Sequence, residues 1–320
     1  MMKLFLAVLL TLAMAVPATA ATPLHVIFDT DMGNDVDDAL ALAMLHAFAS
    51  RGEVKLLAVT VSKDNPWAAE YVRMVDEYYG RATIPVGIVH DGKTQEDGLY
   101  VKQICELHHR RPNKTAVADA VLLLRKTLAS EQDGAVTLIQ VGFSTNLARL
   151  IESKPDRYSG LSGMDLVKKK VRLLTVMAGN FAQSKPEYNV MTDVPAAQTL
   201  FATWPTNIYF SGFEVGLAIL YPASSIEHDF PAGNPVAEAY RVYAKMPYDR
   251  PTWDLTTVLY DLRPDRGYFD VSSPGNVVVA ANGATTFQPN PRGKRYFLKV
   301  NPVQAARVRE ACVWLASQPK

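Results

Sequence analysis

The chain has 320 residues, of which 48% are hydrophobic and 20% are charged, and this composition excludes disordered, collagen-like and coiled-coil proteins. Its 33 basic and 32 acidic residues give a net charge of +1, so no strong positive field is available to attract nucleic acid as a partner. A chain of this length buries about 75% of its unfolded surface, which is enough for one large α/β domain or two smaller ones.

The first twenty residues are predicted to be a secretory signal peptide. Lys3 supplies a positive charge, residues 4–16 form an apolar run, and Ala18-Thr19-Ala20 matches the small-residue pattern that precedes cleavage. The run is shorter than the roughly 20 apolar residues that a membrane-spanning helix needs. We therefore expect cleavage after Ala20, a periplasmic or secreted protein, and no membrane association after cleavage.

The mature chain alternates short β-branched runs with amphipathic stretches, which is typical of βαβ units around a mainly parallel sheet. The stretch between residues 89 and 115, which holds His108 and His109, is predicted to be irregular. The predicted strands are residues 25–31, 54–61, 84–89, 136–142, 171–177 and 206–213. The predicted helices are residues 35–51, 67–79, 115–130, 145–152, 193–202, 235–245 and 253–260.

From Gly267 onward the pattern changes to alternating strands. Turn signals at Pro274-Gly275 and Asn282-Gly283 indicate a hairpin, and a last amphipathic helix is predicted over 303–317. The chain has no internal repeat and no long polar linker, so residues 21–320 are predicted to form a single domain. We expect an open, mostly parallel, Rossmann-like α/β sheet that is flanked by helices.

Cys105 and Cys312 are the only cysteines. A disulfide would require their Cα atoms to lie within roughly 7 Å of each other, and nothing in the sequence places them together. We treat both as structural residues.

An acidic loop follows the first predicted strand. Five of the ten residues from Asp29 to Asp38 are aspartates, and carboxylates this close raise one another's pKa unless a cation lies among them. Gly33 lets the backbone bend there, and the carboxyl end of a parallel strand is where open α/β folds bind ligands. Capping of the following helix by Asp35 or Asp37 explains only one or two of the five carboxylates. The loop is therefore predicted to bind a ligand or a metal ion.

Two other classes of protein have an acidic loop that could resemble this segment. An EF-hand needs glycine at its sixth position and glutamate at its twelfth, and counted from Asp29 these positions hold Asn34 and Leu40. A haloacid-dehalogenase-like phosphatase also begins with a strand that ends in D-x-D, but it prefers Thr or Val two residues further on, where this chain has Gly33. The EF-hand is excluded, and the phosphatase stays an alternative.

The segment DTDMGNDVDDALAL, residues 29–42, closely resembles the amino-terminal signature D-x-D-x-G-x-D-D-A of the inosine–uridine-preferring nucleoside hydrolase family. Three further segments agree in order. VGFSTNLA, residues 141–148, resembles the family's T-G-x-L-T-N-x-A element, and MAG at 177–179 with EYNV at 187–190 resembles its M-G-G…E-F-N-V stretch. Trp253-Asp254 falls where the family has a late metal-binding aspartate. The four motifs span most of the mature chain.

The resemblance implies an open, mostly parallel α/β fold and hydrolysis of the N-glycosidic bond of ribonucleosides to a free base and ribose. It also implies a tightly bound Ca²⁺, because oxygen ligands of this kind suit that ion. The family is usually dimeric or tetrameric, so a homo-oligomer is expected. Carried over by position, the metal ligands would be Asp31, Asp38, Asp254 and the backbone carbonyl of Val141.

The resemblance also implies a ribose-binding set. Two departures leave alternatives open: the acidic loop is two residues longer than the family signature, so Asp35 could take the role of Asp37, and Gln183 is a rival of Asn180. The family's early asparagine could be Asp64 or Asn65. The substrate-binding residues implied in this way are Asp37, Asn65, Met177, Asn180, Glu187, Asn189 and Trp253.

The catalytic residues expected from the resemblance are Asp31, as the base that takes a proton from water, and Trp253, as a ring that stacks on the leaving base. The family's pyrimidine-tolerant branch has histidine where this chain has Trp253, and members that favour purines have an aromatic residue there. We therefore predict a preference for purine nucleosides, with packing of the pocket wall as the alternative role of Trp253. Trp204 and Trp314 are predicted core residues. The spare candidates for a leaving-group acid are His90, His108, His109 and His228.

A non-catalytic periplasmic nucleoside- or ribose-binding protein is a further alternative. Retention of the whole predicted metal-binding set favours an enzyme over a binding protein, because Asp31 would be needed for turnover.

Overall fold

The computed structural model describes residues 22–113 and 117–319. The predicted signal peptide, residues 1–20, and residue 115, the first of a predicted helix, lie outside the described residues.

Eleven strands form one large sheet in the described part of the chain. The strands are β1 Leu24–Thr30, β2 Val54–Lys63, β3 Val86–Lys93, β4 Ala118–Asp119, β5 Val136–Gln140, β6 Val171–Met177, β7 Ile208–Ser211, β8 Leu220–Tyr221, β9 Arg250–Pro251, β10 Asp270–Val271, β11 Gly275–Val279, β12 Thr285–Pro289 and β13 Arg295–Lys299. The sheet order is β12-β11-β13-β7-β6-β5-β1-β2-β3-β4, with β10 beside β13, and β8 pairs separately with β9. All pairs from β13 to β4 along this order are parallel, whereas β10, β11 and β12 pair antiparallel.

Helices cover both faces of the sheet, and each face has its own apolar cluster. The helices are α1 Asp37–Ser50, α2 Pro66–Tyr78, α3 Val101–Leu107, α4 Ala120–Ser130, α5 Thr145–Glu152, α6 Gly163–Lys170, α7 Tyr188–Thr192, α8 Val194–Thr203, α9 Phe213–Leu217, α10 Ala223–His228, α11 Pro235–Tyr243, α12 Trp253–Leu262 and α13 Pro302–Ala316. A 3₁₀ turn, Pro264–Arg266, follows α12. No helix in the described ranges has both the length and the apolarity to cross a membrane.

Helix α1 is the central helix of the molecule. It packs against β2, α12 and α13, and its residues from Asp37 to Phe48 are buried. Seven of these twelve positions are Ala or Leu, and Met44 and Phe48 are also apolar, so the helix can be buried on every side. Its first turn nevertheless carries two aspartates, Asp37 and Asp38, and the packing therefore places two carboxylates inside the protein.

The predicted fold class is confirmed. The predicted helix at 145–152 and the predicted strand at 171–177 match α5 and β6 at both ends. Helix α4 begins at Ala120 instead of residue 115, because the Asp119 side chain accepts a hydrogen bond from the Leu122 N–H and caps the helix there. The Asn282-Gly283 turn joins β11 to β12 as predicted, whereas Gly275 is already the first residue of β11.

The stretch between residues 89 and 115 was wrongly predicted to be irregular, because it contains α3. That helix has only seven residues, and packing of Val101, Ile104 and Cys105 into the core holds it. Cys105 and Cys312 are both free and buried. Trp204 is buried as predicted, but Trp314 is 50% exposed and lies under the Arg51 guanidinium, so its assignment to the core was wrong.

Candidate active site

A cavity of about 680 Å³ opens where the central parallel strands end. The acidic loop follows β1, Val141 follows β5, and Met177 ends β6. These strands are neighbours in the order β6-β5-β1 and run parallel, so their carboxyl ends meet at one edge of the sheet. Four separate motifs of the sequence thus contribute to one cavity.

Three buried carboxylates, Asp37, Asp38 and Asp254, form the centre of the site. Each offers an oxygen that lies within 4.8 Å of the others. The backbone N–H of Asp254 donates to Asp37 Oδ2 at 3.0 Å, and the Thr30 hydroxyl donates to Asp38. Burial raises the pKa of all three carboxyls well above the usual range, and the neighbouring aspartates raise it further. Buried oxygen ligands that repel one another fit a hard divalent cation.

Asp31 is buried beside this group. Asn34 Nδ2 donates to Asp31 Oδ2 at 2.8 Å, and Lys63 Nζ in turn donates to Asn34 Oδ1 at 2.7 Å. Burial raises the pKa of Asp31 to about 6, while the bond from Asn34 and the charge of Lys63 oppose the rise. Lys63 has a fully buried side chain that also pairs with Glu96 at 3.1 Å. The sequence analysis did not single out Lys63, which stands at the end of an ordinary apolar strand.

The carboxylate group differs in one member from the three carboxylates that were predicted to bind the metal. It contains Asp37, which was predicted to contact ribose, in place of Asp31. The reason is that Asp37 is tied to the Asp254 backbone, whereas Asp31 is tied to Asn34. Asp31 and Val141 line the same cavity as the three carboxylates.

Glu187, Asn189 and Met177 also lie in this cavity, as the ribose-binding prediction requires. The Glu187 carboxylate caps α7 by accepting from the N–H of Asn189 at 2.9 Å, and burial raises its pKa to about 7. Asn189 Nδ2 donates to the Val141 carbonyl at 2.7 Å and to the Met177 carbonyl at 3.2 Å. The amide of Asn189 therefore joins the ends of β5 and β6.

Two predicted substrate-binding residues, Asn65 and Asn180, are not among those that line the cavity. Asn65 caps α2 through the Trp67 N–H at 2.9 Å, and its Nδ2 donates to the Gln95 carbonyl at 2.9 Å. Asn180 Oδ1 accepts from the Gln183 N–H at 3.0 Å. Both side chains make local hydrogen bonds, and their assignment to substrate binding stays a prediction. Their alternatives, Asp64 and Gln183, do not line the cavity either.

The structure also separates the two aspartates whose roles the long loop left open. Asp35 does not belong to the carboxylate group but forms a bidentate ion pair with Arg250, in which Nε lies 3.1 Å from Oδ1. Gly33 takes φ +106°, where a side chain would be strained, and its N–H donates to the Tyr100 hydroxyl at 3.0 Å. The loop turns back at Gly33, and Asp37 lies beside Asp38 and Asp254.

Trp253 lines the cavity next to Asp254. Its ring stacks on Phe213 with centroids 5.6 Å apart, and its Nε1 donates to the Phe213 carbonyl at 3.0 Å. The Arg250 guanidinium lies 5.3 Å from the centroid of the indole ring. The position agrees with the prediction, and the contacts show that the ring is also packed by the protein.

None of the four histidines proposed as spare acids is among the described residues that line the cavity. His108 lies at the end of α3 and pairs with Glu238 at 2.5 Å. The four histidines proposed as spare acids, none of which lines the cavity, are His90, His108, His109 and His228.

Sequence reasoning missed several cavity residues, among them Glu96, Tyr188, Tyr243 and Arg250. They lie in a loop, at helix ends or in the short strand β9, and all are far in sequence from the acidic loop. An arginine four residues before the late aspartate was the one available signal, since charged side chains near a metal motif are candidates for the site.

Comparisons with known proteins agree with this geometry. Residues 26–308 match the family model described as inosine-uridine preferring nucleoside hydrolase. The pyrimidine-specific ribonucleoside hydrolase RihA of Enterobacter sp. (strain 638) is 29% identical over 232 residues, which are 67% of this chain and 67% of the relative.

Two solved structures show the same fold at 20% identity. A plant nucleoside hydrolase superposes with a TM-score of 0.69 over 91% of this chain and 99% of its own. The inosine-uridine preferring nucleoside hydrolase from Bacillus anthracis has a TM-score of 0.69 and covers 92% of this chain and 99% of its own.

Proposed function

This chain belongs to the inosine-uridine preferring nucleoside hydrolase family and is an N-glycosyl hydrolase of ribonucleosides, and from that premise we propose that it is Ca²⁺-dependent and prefers purine ribonucleosides. The observation that carries the proposal is the juxtaposition of Asp37, Asp38 and Asp254 with Asp31 in a single cavity that also holds Glu187. The predicted signal peptide supports a periplasmic or secreted location.

The buried carboxylates would hold the cation. Asp38 and Asp254 belong both to the predicted ligand set and to the observed group, and either Asp37 or Asp31 would provide the third carboxylate. When bound, a divalent cation orients a water molecule and lowers its pKa. Ca²⁺ is favoured because the donors are carboxylate and carbonyl oxygens, and the described cavity residues include neither cysteine nor histidine.

Asp31 accepts the proton of the attacking water in this scheme. Its carboxylate is fixed by Asn34, which leaves the second oxygen, Oδ1, for the water, and such a base accelerates the reaction by about 10²–10⁴-fold. Asn189 uses its Nδ2 within the protein, so its Oδ1 is the atom available to a ribose hydroxyl. Together with Glu187 it would hold the sugar, which converts binding energy into positioning of the glycosidic bond.

The purine preference rests on the aromatic wall of the cavity. Trp253, Phe213 and Tyr188 all line it, and a bicyclic base offers more overlap with such rings than a pyrimidine does. No histidine lies among the described cavity residues to protonate a pyrimidine. The name of the Enterobacter relative refers to pyrimidine ribonucleosides, so the preference has to be measured for this chain.

The test is a panel of five ribonucleosides, inosine, adenosine, guanosine, uridine and cytidine, incubated with the mature protein with and without a chelator. Chromatography of the free base measures turnover. The proposal expects faster hydrolysis of the purine nucleosides and loss of turnover when the cation is removed. Faster hydrolysis of uridine contradicts the purine preference, and full turnover in chelator contradicts the metal dependence. Tight binding without turnover would favour the binding-protein alternative.

A further inference from the structure

The cavity has a strongly unbalanced charge. Among the described residues that line it, eight side chains are carboxylates and one is a cation, Arg250. When an N-glycosidic bond breaks, the departing base takes the bonding electron pair and develops negative charge. A wall of carboxylates would oppose this charge, whereas a guanidinium would stabilise it. Among the described residues that line the cavity, Arg250 is the one whose side chain could supply such a positive charge.

Arg250 is fixed by three neighbours. Its Nε and Nη2 donate to the Asp35 carboxylate, and Nη2 also donates to the Tyr243 hydroxyl at 3.1 Å. The guanidinium lies 5.1 Å from the centroid of the Tyr243 ring and 5.3 Å from that of Trp253. A cation held between aromatic rings and a carboxylate keeps its orientation without reorganisation during the reaction.

One nitrogen of this guanidinium is left over. Nη1 makes no hydrogen bond to any residue in the described part of the chain, although the other two nitrogens do. Arg263 is a useful comparison, because it also pairs with a carboxylate, Glu53, and stacks on a ring, Phe48, at 4.7 Å. Its Nη1 donates to the Leu262 carbonyl at 2.7 Å, and it does not line the cavity. Arg250 thus lines the cavity and has one nitrogen, Nη1, without a hydrogen-bond partner among the described residues, whereas Nη1 of the comparable arginine has one.

We propose that Arg250 is a catalytic residue that stabilises the departing nucleobase through Nη1, an inference that rests on the proposed function. The water oxygen forms a bond to C1′ while the C1′–N bond breaks, and the water proton passes to the Asp31 carboxylate. The electron pair of the broken bond goes to the base, whose anionic ring nitrogen or oxygen accepts a hydrogen bond from Nη1. The base then takes a proton from solvent, and Asp31 releases its proton to solvent, which restores the carboxylate. Arg250 itself stays protonated throughout, because a guanidinium does not release its proton in proteins.

Substrates that differ only in the leaving group provide the test. Inosine has a poor leaving group, whereas the phenolate released from 4-nitrophenyl β-D-ribofuranoside is a stable anion that needs no stabilisation. For Arg250→Gln we expect kcat/KM on inosine to fall about 10²-fold, the usual effect of removing one such donor, and a loss on the aryl riboside that is about ten times smaller. Arg250→Lys, which keeps the charge, should lose less on inosine than Arg250→Gln. Arg263→Gln is the matched control and should show no substrate-dependent loss.

Equal losses on inosine and on the aryl riboside would overturn the role of Arg250, because a purely structural ion pair affects both substrates alike. A substrate-dependent loss in Arg263→Gln would overturn it as well. If Arg250→Gln does not fold, as judged by its thermal melt, the same ratio measured for Arg250→Lys decides. A wild-type protein that cleaves neither substrate refutes the proposed function itself, and this result is distinct from equal losses in an active enzyme.

Discussion

Asp31 receives its hydrogen bond from a neutral amide, and the nearest cation, Lys63, acts on it from behind Asn34. This arrangement orients the carboxylate without neutralising it by a direct ion pair. A carboxylate that accepts a proton during turnover needs both properties, a fixed position and an oxygen that is free to accept.

Replacement of Asp31 by asparagine should therefore remove the catalytic base while the protein still folds. Asp31→Asn keeps the size of the side chain but cannot accept a proton, so kcat should fall by about 10² or more. Steady-state kinetics on inosine measures the loss, and a thermal melt checks the fold. Asp261→Asn is the control, because Asp261 is also a buried aspartate but does not line the cavity. A near-normal rate for Asp31→Asn with a large loss of kcat for Asp35→Asn would show that the base was assigned to the wrong aspartate.

The third carboxylate of the metal site can also be identified by substitution. The geometry groups Asp37 with Asp38 and Asp254, whereas the family resemblance implies Asp31. We expect Asp38→Asn and Asp254→Asn to lose bound Ca²⁺, and whichever of Asp37→Asn and Asp31→Asn loses more identifies the remaining ligand. Metal analysis of the purified variants gives the stoichiometry. Retention of one Ca²⁺ in Asp254→Asn would contradict the site.

At the scale of elements, the sequence predicts the long strands and helices because their apolar periodicity reports burial directly. Short helices escape such reasoning. Helix α7 has five residues, and the Glu187 side chain caps its amino-terminal end. The same side chain therefore both starts the helix and lines the site. The pairing of Asp35 with Arg250 spans 215 positions, and only the folded chain brings these residues together. The sequence motifs identify the acidic loop. Tertiary packing, which the motifs do not report, brings Arg250 to Asp35 in that loop.

Helix α12 carries a second buried aspartate that takes no part in the site. Asp261 Oδ1 accepts from the Thr175 hydroxyl at 2.6 Å, and Oδ2 has no hydrogen-bond partner in the part of the chain that the structure describes. Burial raises its pKa from the ordinary aspartate range to about 7. The folded protein therefore keeps a proton on Asp261 at pH values at which the unfolded chain has released it, and stability is lost as the pH rises between these two values.

Asp261→Asn should remove this pH dependence, since the amide keeps an acceptor for Thr175 but does not ionise. We expect the melting temperature of the variant to exceed that of the wild type increasingly as the pH rises from about 4 to about 7, with a constant difference above that range. Thermal melts in a series of buffers measure the difference. A variant whose melting temperature is lowered equally at every pH would contradict the prediction. It would show that the Asp261 side chain stabilises the protein by packing and that its ionisation does not affect stability.

At the scale of the whole molecule, export is the first property to test. The apolar run and Ala18-Thr19-Ala20 predict that the mature chain begins at Ala21 or within a residue or two of it. Amino-terminal sequencing of the protein from a periplasmic or extracellular fraction measures this. Intact Met1 on cytosolic protein would contradict the prediction. Size-exclusion chromatography with light scattering of the same sample tests the expected dimer or tetramer.

The carboxylate group connects helices α1 and α12, which are far apart in the sequence. Asp37 and Asp38 begin α1, whereas Asp254 lies in the first turn of α12, and the bond between the Asp254 N–H and Asp37 spans 217 positions. Three carboxylates buried together repel one another, and a cation that binds only the folded chain would relieve this repulsion and stabilise the fold by linkage.

Removal of the cation should consequently lower the melting temperature as well as the activity. A ligand present at about 100 times its dissociation constant contributes about 2.7 kcal/mol, which corresponds to several degrees for a domain of this size. Differential scanning fluorimetry in EDTA, followed by titration with Ca²⁺ or Mg²⁺, measures the shift, and Ca²⁺ should restore both properties at the lower concentration. Asp254→Asn is the control, because it should melt at the same temperature with and without EDTA. An unchanged wild-type melting temperature in EDTA, together with active protein free of divalent metal, would mean that the three carboxylates stay protonated in the folded enzyme and that no cation links α1 to α12.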